Sequence, residues 1–329
     1  AIAGYHRKHA IRLLSNHRER TPRTSTTATR VYDEAVREAL IVLWEASDRI
    51  CGKRLKAALP QLVEAMERHN HLELDPVVRE RVMSISASTI DRLLQPVRRQ
   101  ASNRKKKRRV TKPSKKVRVR TFSDWNEPIP GFLEIDFVVQ CGGSVGGSYV
   151  SSLVVTDVCS GWIEAVPLLA REQSLVVEGL GVIEQQLPMP IQGIDSDNDS
   201  AFINDTLVNY CEKKKIEFTR CRAYRKNDQA WIEQKNGAVI RKFVGHDRLN
   251  GVVAAQAMAR LFQAMRMYVN FFQPSFKLEA KRRNGAKTYK KYYPPATPCD
   301  RLLEHDAIAN ETKTALRSVR GQLDPLALL

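Results

Sequence analysis

Three acidic residues carry the chemistry that this sequence offers. Asp136 stands in the apolar run Leu133-Glu134-Ile135-Asp136-Phe137-Val138-Val139, Asp197 is the middle one of Asp195, Asp197 and Asp199, and Glu233 lies in Ala230-Trp231-Ile232-Glu233-Gln234-Lys235-Asn236. An Asp in a strand has poor propensity, and its desolvated charge is costly unless paired or metal-bound. Three aspartates in five positions repel one another unless cations neutralise them. Carboxylate oxygens suit hard Mg²⁺ or Mn²⁺, and two such ions about 4 Å apart activate an attacking oxygen and stabilise a leaving one. Each residue taken alone also has an ordinary reading: a strand-edge Asp, a solvated acidic turn, a helical Glu on the surface.

The flanking patterns say which elements position them. Leu133, Ile135, Phe137 and Val139 alternate with Glu134, Asp136 and Val138, which is the period of a strand. Two further β-rich runs, 149–156 and 162–167, are joined by Asp157-Val158-Cys159-Ser160-Gly161 and predict a hairpin. A helix over 172–187, a strand near 191–194, a helix over 205–214 and a strand over 216–221 follow. Three strands and then alternating helix and strand is the order of a ribonuclease-H-like α/β fold. Asp197 falls just beyond the short fourth strand, where a loop presents side chains at the edge of a sheet. Glu233 falls on a helix starting near Ala230, and Asn236, Gly237, Ile240 and Arg241 share its face.

The first hundred residues read as an all-α region. Val36, Ala39, Leu40, Leu43 and Trp44 have the spacing of one buried helical face, within a helix expected over 31–49. Further helices are expected over 53–69 and 75–83. A Ser cap ahead of Thr89 opens a short helix over 89–95 that carries Arg92, with Arg98 and Arg99 just beyond Pro96. This resembles a helix-turn-helix, whose second helix enters the major groove; an ordinary helical bundle with a polar face is the other reading.

The 329 residues fit two or three domains, because single cores stop growing at about 250 to 300 residues. Net charge is +18, which favours a polyanionic partner such as nucleic acid. Between Arg98 and Arg120 there are thirteen Lys or Arg and no Asp or Glu, among them Arg104, Lys105, Lys106, Lys107, Arg108 and Arg109. Such a block does not fold alone. It reads as a linker laid along DNA phosphates; a nuclear localisation signal would require a eukaryotic source. The expected division is therefore 1–97 helical and DNA-binding, 98–121 basic linker, 122–275 catalytic core and 276–329 C-terminal extension.

Six scattered cysteines without a C-x-x-C pair point to reduced cytosolic thiols. Of these only Cys51 precedes residue 140, so with His6, His9 and His17 no structural zinc is expected. No apolar run reaches the roughly 20 residues of a membrane span. The opening residues lack a secretory pattern, and the final QLDPLALL stops within an apolar helical pattern, which is compatible with truncation at both ends.

Taken together, the three acids resemble the retroviral-integrase-like transposases, in which two Asp and a Glu converge on one site. Thirty-five residues separate Asp197 from Glu233, the spacing found in that family. Ser196-Asp197-Asn198 followed by Phe202 is similar to its second-Asp motif, and Tyr224, Gln229 and Glu233-x-x-Asn236 are similar to its third. The resemblance covers residues 131–272, and within it the chain looks more like a bacterial insertion-sequence transposase than a viral integrase. It implies a ribonuclease-H-like core and two Mg²⁺ or Mn²⁺, with Asp136 bridging both and Asp197 and Glu233 holding one each. It also implies water-driven release of a 3′-hydroxyl followed by attack of that hydroxyl on target DNA. Element ends and target would be double-stranded DNA, bound by a homo-oligomer in a bacterial cytoplasm. Arg92, the 104–109 cluster, Tyr224, Gln229, Asn236 and Arg241 are the expected DNA contacts. Asp199 and Ala201 depart from the family, which usually has Gly and Glu there; an Asp tolerates a left-handed backbone better than most residues. The alternatives are a nuclease of the same fold that cuts without joining, and a non-catalytic DNA-binding regulator.

Overall fold

The computed structural model describes residues 32–100, 117–118, 120, 129–222, 226–284 and 287–329. Helix α1 (Glu34–Ala46) buries the stripe Val36, Ala39, Leu40, Leu43 and Trp44, and the Asp33 carboxylate caps it by accepting the Val36 amide at 3.1 Å. Helices α2 (Gly52–Arg68), α3 (Pro76–Ser84) and α4 (Ala87–Gln100) close a separate helical core around it. Only Ile85 and Ser86 separate α3 from α4. Ser86 Oγ accepts the Thr89 amide at 3.2 Å, and Ile85 and Ile90 are both fully buried. A capping hydroxyl with apolar residues before the cap and one turn inside fixes the angle at which the chain enters the helix.

Helix α4 does not stop before Pro96 as expected but runs through it. A proline there removes one helical hydrogen bond, and the residues after it repay the loss. Arg98 binds Asp91 at 2.5 Å, donates to the Ile50 carbonyl at 3.2 Å and lies 5.4 Å from the centre of the Trp44 ring. Arg98 thus belongs to the helical region and not to the linker. Near the end of the basic run, Arg120 N donates to Arg220 O at 2.8 Å and Arg220 N to Arg118 O at 2.9 Å, so Arg118 and Arg120 pair with the edge of the core sheet. Residues 104–109 lie outside the described residues.

The core begins with β1 (Phe132–Val139), β2 (Ser151–Asp157) and β3 (Ile163–Leu168). Then come α5 (Gln173–Gln186), β4 (Gly193–Ser196), α6 (Asp205–Lys214) and β5 (Glu217–Arg220). The strands lie in the order β3-β2-β1-β4-β5, with β1 antiparallel to β2 and parallel to β4. This is the ribonuclease-H-like α/β fold, with a helical region before it. The expected hairpin is present: Asp157 closes it by accepting the Ser160 amide at 2.7 Å and the Gly131 amide at 2.8 Å. Gly131 has φ +111°, and a Cβ there would stand 2.4 Å from the Pro190 carbonyl, so glycine is required.

A short 3-10 turn (Lys226–Gln229) leads into α7 (Ala230–Lys235), a π-turn (Asn236–Ile240) and α8 (Arg241–Val244). The remaining elements are α9 (Gly251–Phe272), β6 (Leu278–Asn284), β7 (Lys287–Tyr292), α10 (Pro298–Glu304) and α11 (Asn310–Gln322). Leu153, Val155, Val176 and Ile183 belong to the core between the sheet and α5–α6. Val154, Ile163, Ile232 and Phe262 belong to the core on the other side. The helical region docks on this second layer, where Tyr268 Oη donates to Ala46 O at 2.7 Å and Gln61 to Asp300 at 2.9 Å. Among the described residues no helix is long and apolar enough to cross a membrane.

Candidate active site

Strand register brings two of the three acids together. Ile135 pairs with Ser196 across the parallel β1–β4 ladder, so Asp136, midway along β1, and Asp197, just past the end of β4, follow in step on adjacent strands. The loop after β4 is held on β1 by Phe202 stacked on Phe137 at 4.4 Å. Asp136 Oδ1 accepts the Phe137 amide at 2.7 Å and its Oδ2 accepts Asn236 Nδ2 at 2.7 Å. Burial pushes the Asp136 carboxyl up to about 8, and the Asp197 charge adds to it. Asp197 rises to about 6, again chiefly through burial, although the Asp199 amide, 2.9 Å from Oδ1, works against the shift. Two desolvated neighbouring carboxylates form a donor set that fits hard divalent cations.

Glu233 is exposed on α7, one helix away from the aspartates. Its charge helps to raise the pKa of both Asp136 and Glu134, after the larger effect of burial. Among the described residues no three Asp, Glu, His or Cys side chains are closed into a metal-binding group; Asp136 and Asp197 are neighbours by strand register, and Glu233 lies on α7.

Glu134 is the site residue that sequence reasoning missed. It is fully buried two positions before Asp136, and its Oε2 accepts the Ile232 amide at 2.8 Å. An acid on a strand thereby fixes the start of the helix that bears Glu233, by the preference of helix amides for a negative partner. The signal was available: two acids at i and i+2 on one side of an apolar strand. Asp195 is also buried, pushed up to about 7 by burial against the bond from Thr219 Oγ1 at 2.6 Å.

The expected DNA contacts fare unevenly. Arg92 is exposed on α4, with Nη2 3.3 Å from Thr89 Oγ1. Gln229 is buried instead, with its amide at 3.5 Å from the Ile135 carbonyl and 3.4 Å from that of Asp195. Arg241 is turned inward to Val139 O at 2.9 Å and Gln140 Oε1 at 3.1 Å. Both are spent on carbonyls that the sheet and its loops leave open, and Asn236 is spent on Asp136. The helix face expected for Glu233 is broken by the π-turn, which buries Ile240, and such insertions are frequent at functional sites. Tyr224 lies outside the described residues. Asp199 does not take the left-handed backbone; it pairs with Arg171 at 2.8 Å and accepts the Ala201 amide at 2.9 Å.

Lys235, two residues after Glu233, is buried near Arg301 and Arg54, and no ion pair to it is found among the described residues. Burial lowers its ammonium to about 7. Below that value the folded protein carries a buried charge that the unfolded chain solvates; the cost fades as pH rises toward the ordinary lysine range. Lys235→Met is expected to stabilise the fold by about 2 kcal/mol at pH 6. The gain should shrink as pH approaches 10, read as the urea midpoint at each pH.

The Integrase core domain family matches residues 129–226. The protein y4rM of Sinorhizobium fredii (strain NBRC 101917 / NGR234), described as uncharacterized, is 48% identical over 303 residues, 92% of this chain and 86% of y4rM. The Gag-Pol polyprotein of avian reticuloendotheliosis virus is 31% identical over 106 residues, 31% of this chain and 9% of that one. Among solved structures, the HTLV-2 integrase catalytic core domain in complex with magnesium has a TM-score of 0.35 at 13% identity, covering 46% of this chain and 93% of that one. The catalytic core domain of BIV integrase has 0.33 at 16%, covering 52% and 91%. The chain belongs to the family of y4rM, and its residues 129–226 match the Integrase core domain, as expected of an integrase-like transposase.

Proposed function

We propose that the chain is a metal-dependent DNA transposase that cleaves 3′ ends of a mobile element and joins them to target DNA. The observation that carries this reading is the pair Asp136 and Asp197, half-buried in register midway along β1 and just past the end of parallel β4, within the Integrase core domain match. In this reading Asp136, Asp197 and Glu233 would hold two Mg²⁺ or Mn²⁺ ions, which would supply activation of an attacking oxygen and stabilisation of a leaving one. Asn236 orients the Asp136 carboxylate, Glu134 fixes the start of α7, and the Arg171–Asp199 pair holds the loop that carries Asp197. The HTLV-2 neighbour was solved with magnesium in dimeric and trimeric forms, which supports a divalent metal and a homo-oligomer here. The cations 104–109 and Tyr224 would bind DNA phosphates, in a cytoplasmic protein divided near residues 97, 121 and 275.

A strand-transfer assay with duplexes taken from the DNA flanking the coding region, in Mg²⁺ and in Mn²⁺, tests the proposal. Joined products are expected. Cleavage without joining would make it a nuclease, and binding alone a regulator.

End recognition falls to the helical region, because a second helix after a tight turn reads base edges whereas the core grips backbone. Arg92→Ala is expected to lose about 1 to 3 kcal/mol of discrimination for the cognate end, with a smaller loss on random DNA. Equal competition by terminal and random duplexes against the wild-type protein would move end recognition elsewhere.

A further inference from the structure

Strands β6 and β7 form a two-stranded sheet of their own, apart from the core sheet. Residues 277–293 carry seven Lys or Arg against one acid, Glu279, and include three tyrosines. Such a hairpin is marginally stable by itself in water, yet every residue from Thr288 to Tyr293 is exposed, with Tyr289 57%, Tyr292 45% and Tyr293 47% accessible. Alternation along β7 puts Tyr289 and Lys291 on one side and Lys290 and Tyr292 on the other, so neither side is an apolar face awaiting a protein core.

The stem of this ribbon is fixed. Ser275 and Ala296 exchange backbone hydrogen bonds at 2.8 and 3.3 Å, and Tyr293 N donates to Lys277 O at 3.0 Å. Lys277 Nζ donates to Cys159 O at 2.6 Å, and Arg301 Nη1 donates to Ser160 O at 2.8 Å and to Ser275 Oγ at 2.9 Å. Both cations thus tie the ribbon to the β2–β3 turn of the catalytic core. The result is a held stem and a solvated, cationic, tyrosine-bearing arm.

We propose that β6–β7 is a DNA-binding ribbon that lies in the major groove of a duplex held by the core, with its lysines on phosphates and Tyr289 against the groove. The groove is about 12 Å wide and admits a two-stranded ribbon, and six residues of strand reach about 20 Å along it. An arm of this charge, whose residues 288–293 are exposed on both sides of β7, matches a polyanion that surrounds it. The proposal rests on the reading of the chain as a DNA-acting enzyme.

The test uses the full chain and fluorescence anisotropy on a random-sequence duplex, with the double variant Tyr289→Ser, Lys290→Ser. Both side chains are exposed, so thermal melting should stay unchanged. Duplex binding is expected to weaken about tenfold, and the salt slope to become shallower by about 0.9 for one lost phosphate contact; Lys290→Arg alone should keep the slope. A photo-crosslinking residue in place of Tyr289 should label duplex DNA. Unchanged affinity and slope, with no crosslink, in a wild-type protein that binds duplex would overturn the ribbon and leave the transposase reading standing. A loss seen only on polyglutamate would do the same. Failure of the wild-type protein to bind any duplex would overturn both.

Discussion

Asp136→Asn, Asp197→Asn and Glu233→Gln, each alone in the full chain, are expected to lower cleavage and joining by at least about 10³-fold, about 4 kcal/mol in barrier, while DNA affinity stays nearly intact. Each change removes an anionic oxygen with little change of shape. Asp136→Asn has a second consequence that separates a metal site from an ordinary buried acid. The folded Asp136 carboxyl sits near 8, above its ordinary 3.8, so the folded protein holds that proton more tightly than the unfolded chain. The cost of ionising it is absent below about pH 4, grows as pH rises and is complete above about pH 8. Without metal, the variant should therefore melt above the wild type at pH 8 and converge with it near pH 4. The Asn236 Oδ1 atom is buried without a partner, so its amide can turn over to accept from the new side chain. Divalent cation should then raise the melting temperature of the wild type and not of the variant, because a bound cation displaces the proton. Normal strand transfer by any of the three variants would remove that residue from the site.

The second large effect concerns the fold beneath the site. Arg266 on α9 reaches Glu164 on β3 with two hydrogen bonds, 2.5 and 2.7 Å, and Trp162 Nε1 donates to the same carboxylate at 2.7 Å. Burial pushes the Glu164 carboxyl up even though Arg266 and Trp162 pull it down, and buried pairs of this kind often give no net gain over an apolar pair. Removing one partner is different. Glu164→Ala strands a buried guanidinium and an indole N–H, and should cost about 3 to 5 kcal/mol. Arg266→Met should cost a similar amount, by leaving the buried carboxylate without its cation, with only the Trp162 bond, and by removing the donor to the Gln186 carbonyl. The double variant should lose clearly less than the two single losses added, in a urea-denaturation cycle. Additive losses would mean that the pair is not a coupled unit.

The acids were legible because they break a pattern. Asp136 interrupts a period-2 apolar run, and Asp197 ends a short strand. Glu233 gave no signal of its own; its position came from spacing relative to Asp197. Gln229 and Arg241 were misplaced for a physical reason. A polar side chain near a helix start looks the same in sequence whether it faces solvent or a carbonyl that a neighbouring strand leaves open, and here the carbonyls of Ile135, Asp195 and Val139 took them. The β6–β7 ribbon left no trace, since a strand exposed on both sides has no burial period to detect.

The sequence by itself determined the strand and helix order from β1 to β5, the buried stripes of α1 and β1 and the identity of the candidate acids, because these follow from local side-chain period and charge. Tertiary structure decided what distance along the chain conceals. The parallel register of β1 and β4 sets Asp136 beside Asp197, and Glu134 reaches across 98 positions to hold Ile232. The π-turn swings Ile240 into the core, and Arg98 leaves the basic run to pack on Trp44. Each of these is settled by competition among all the groups that burial brings together, and no local pattern records which partner wins.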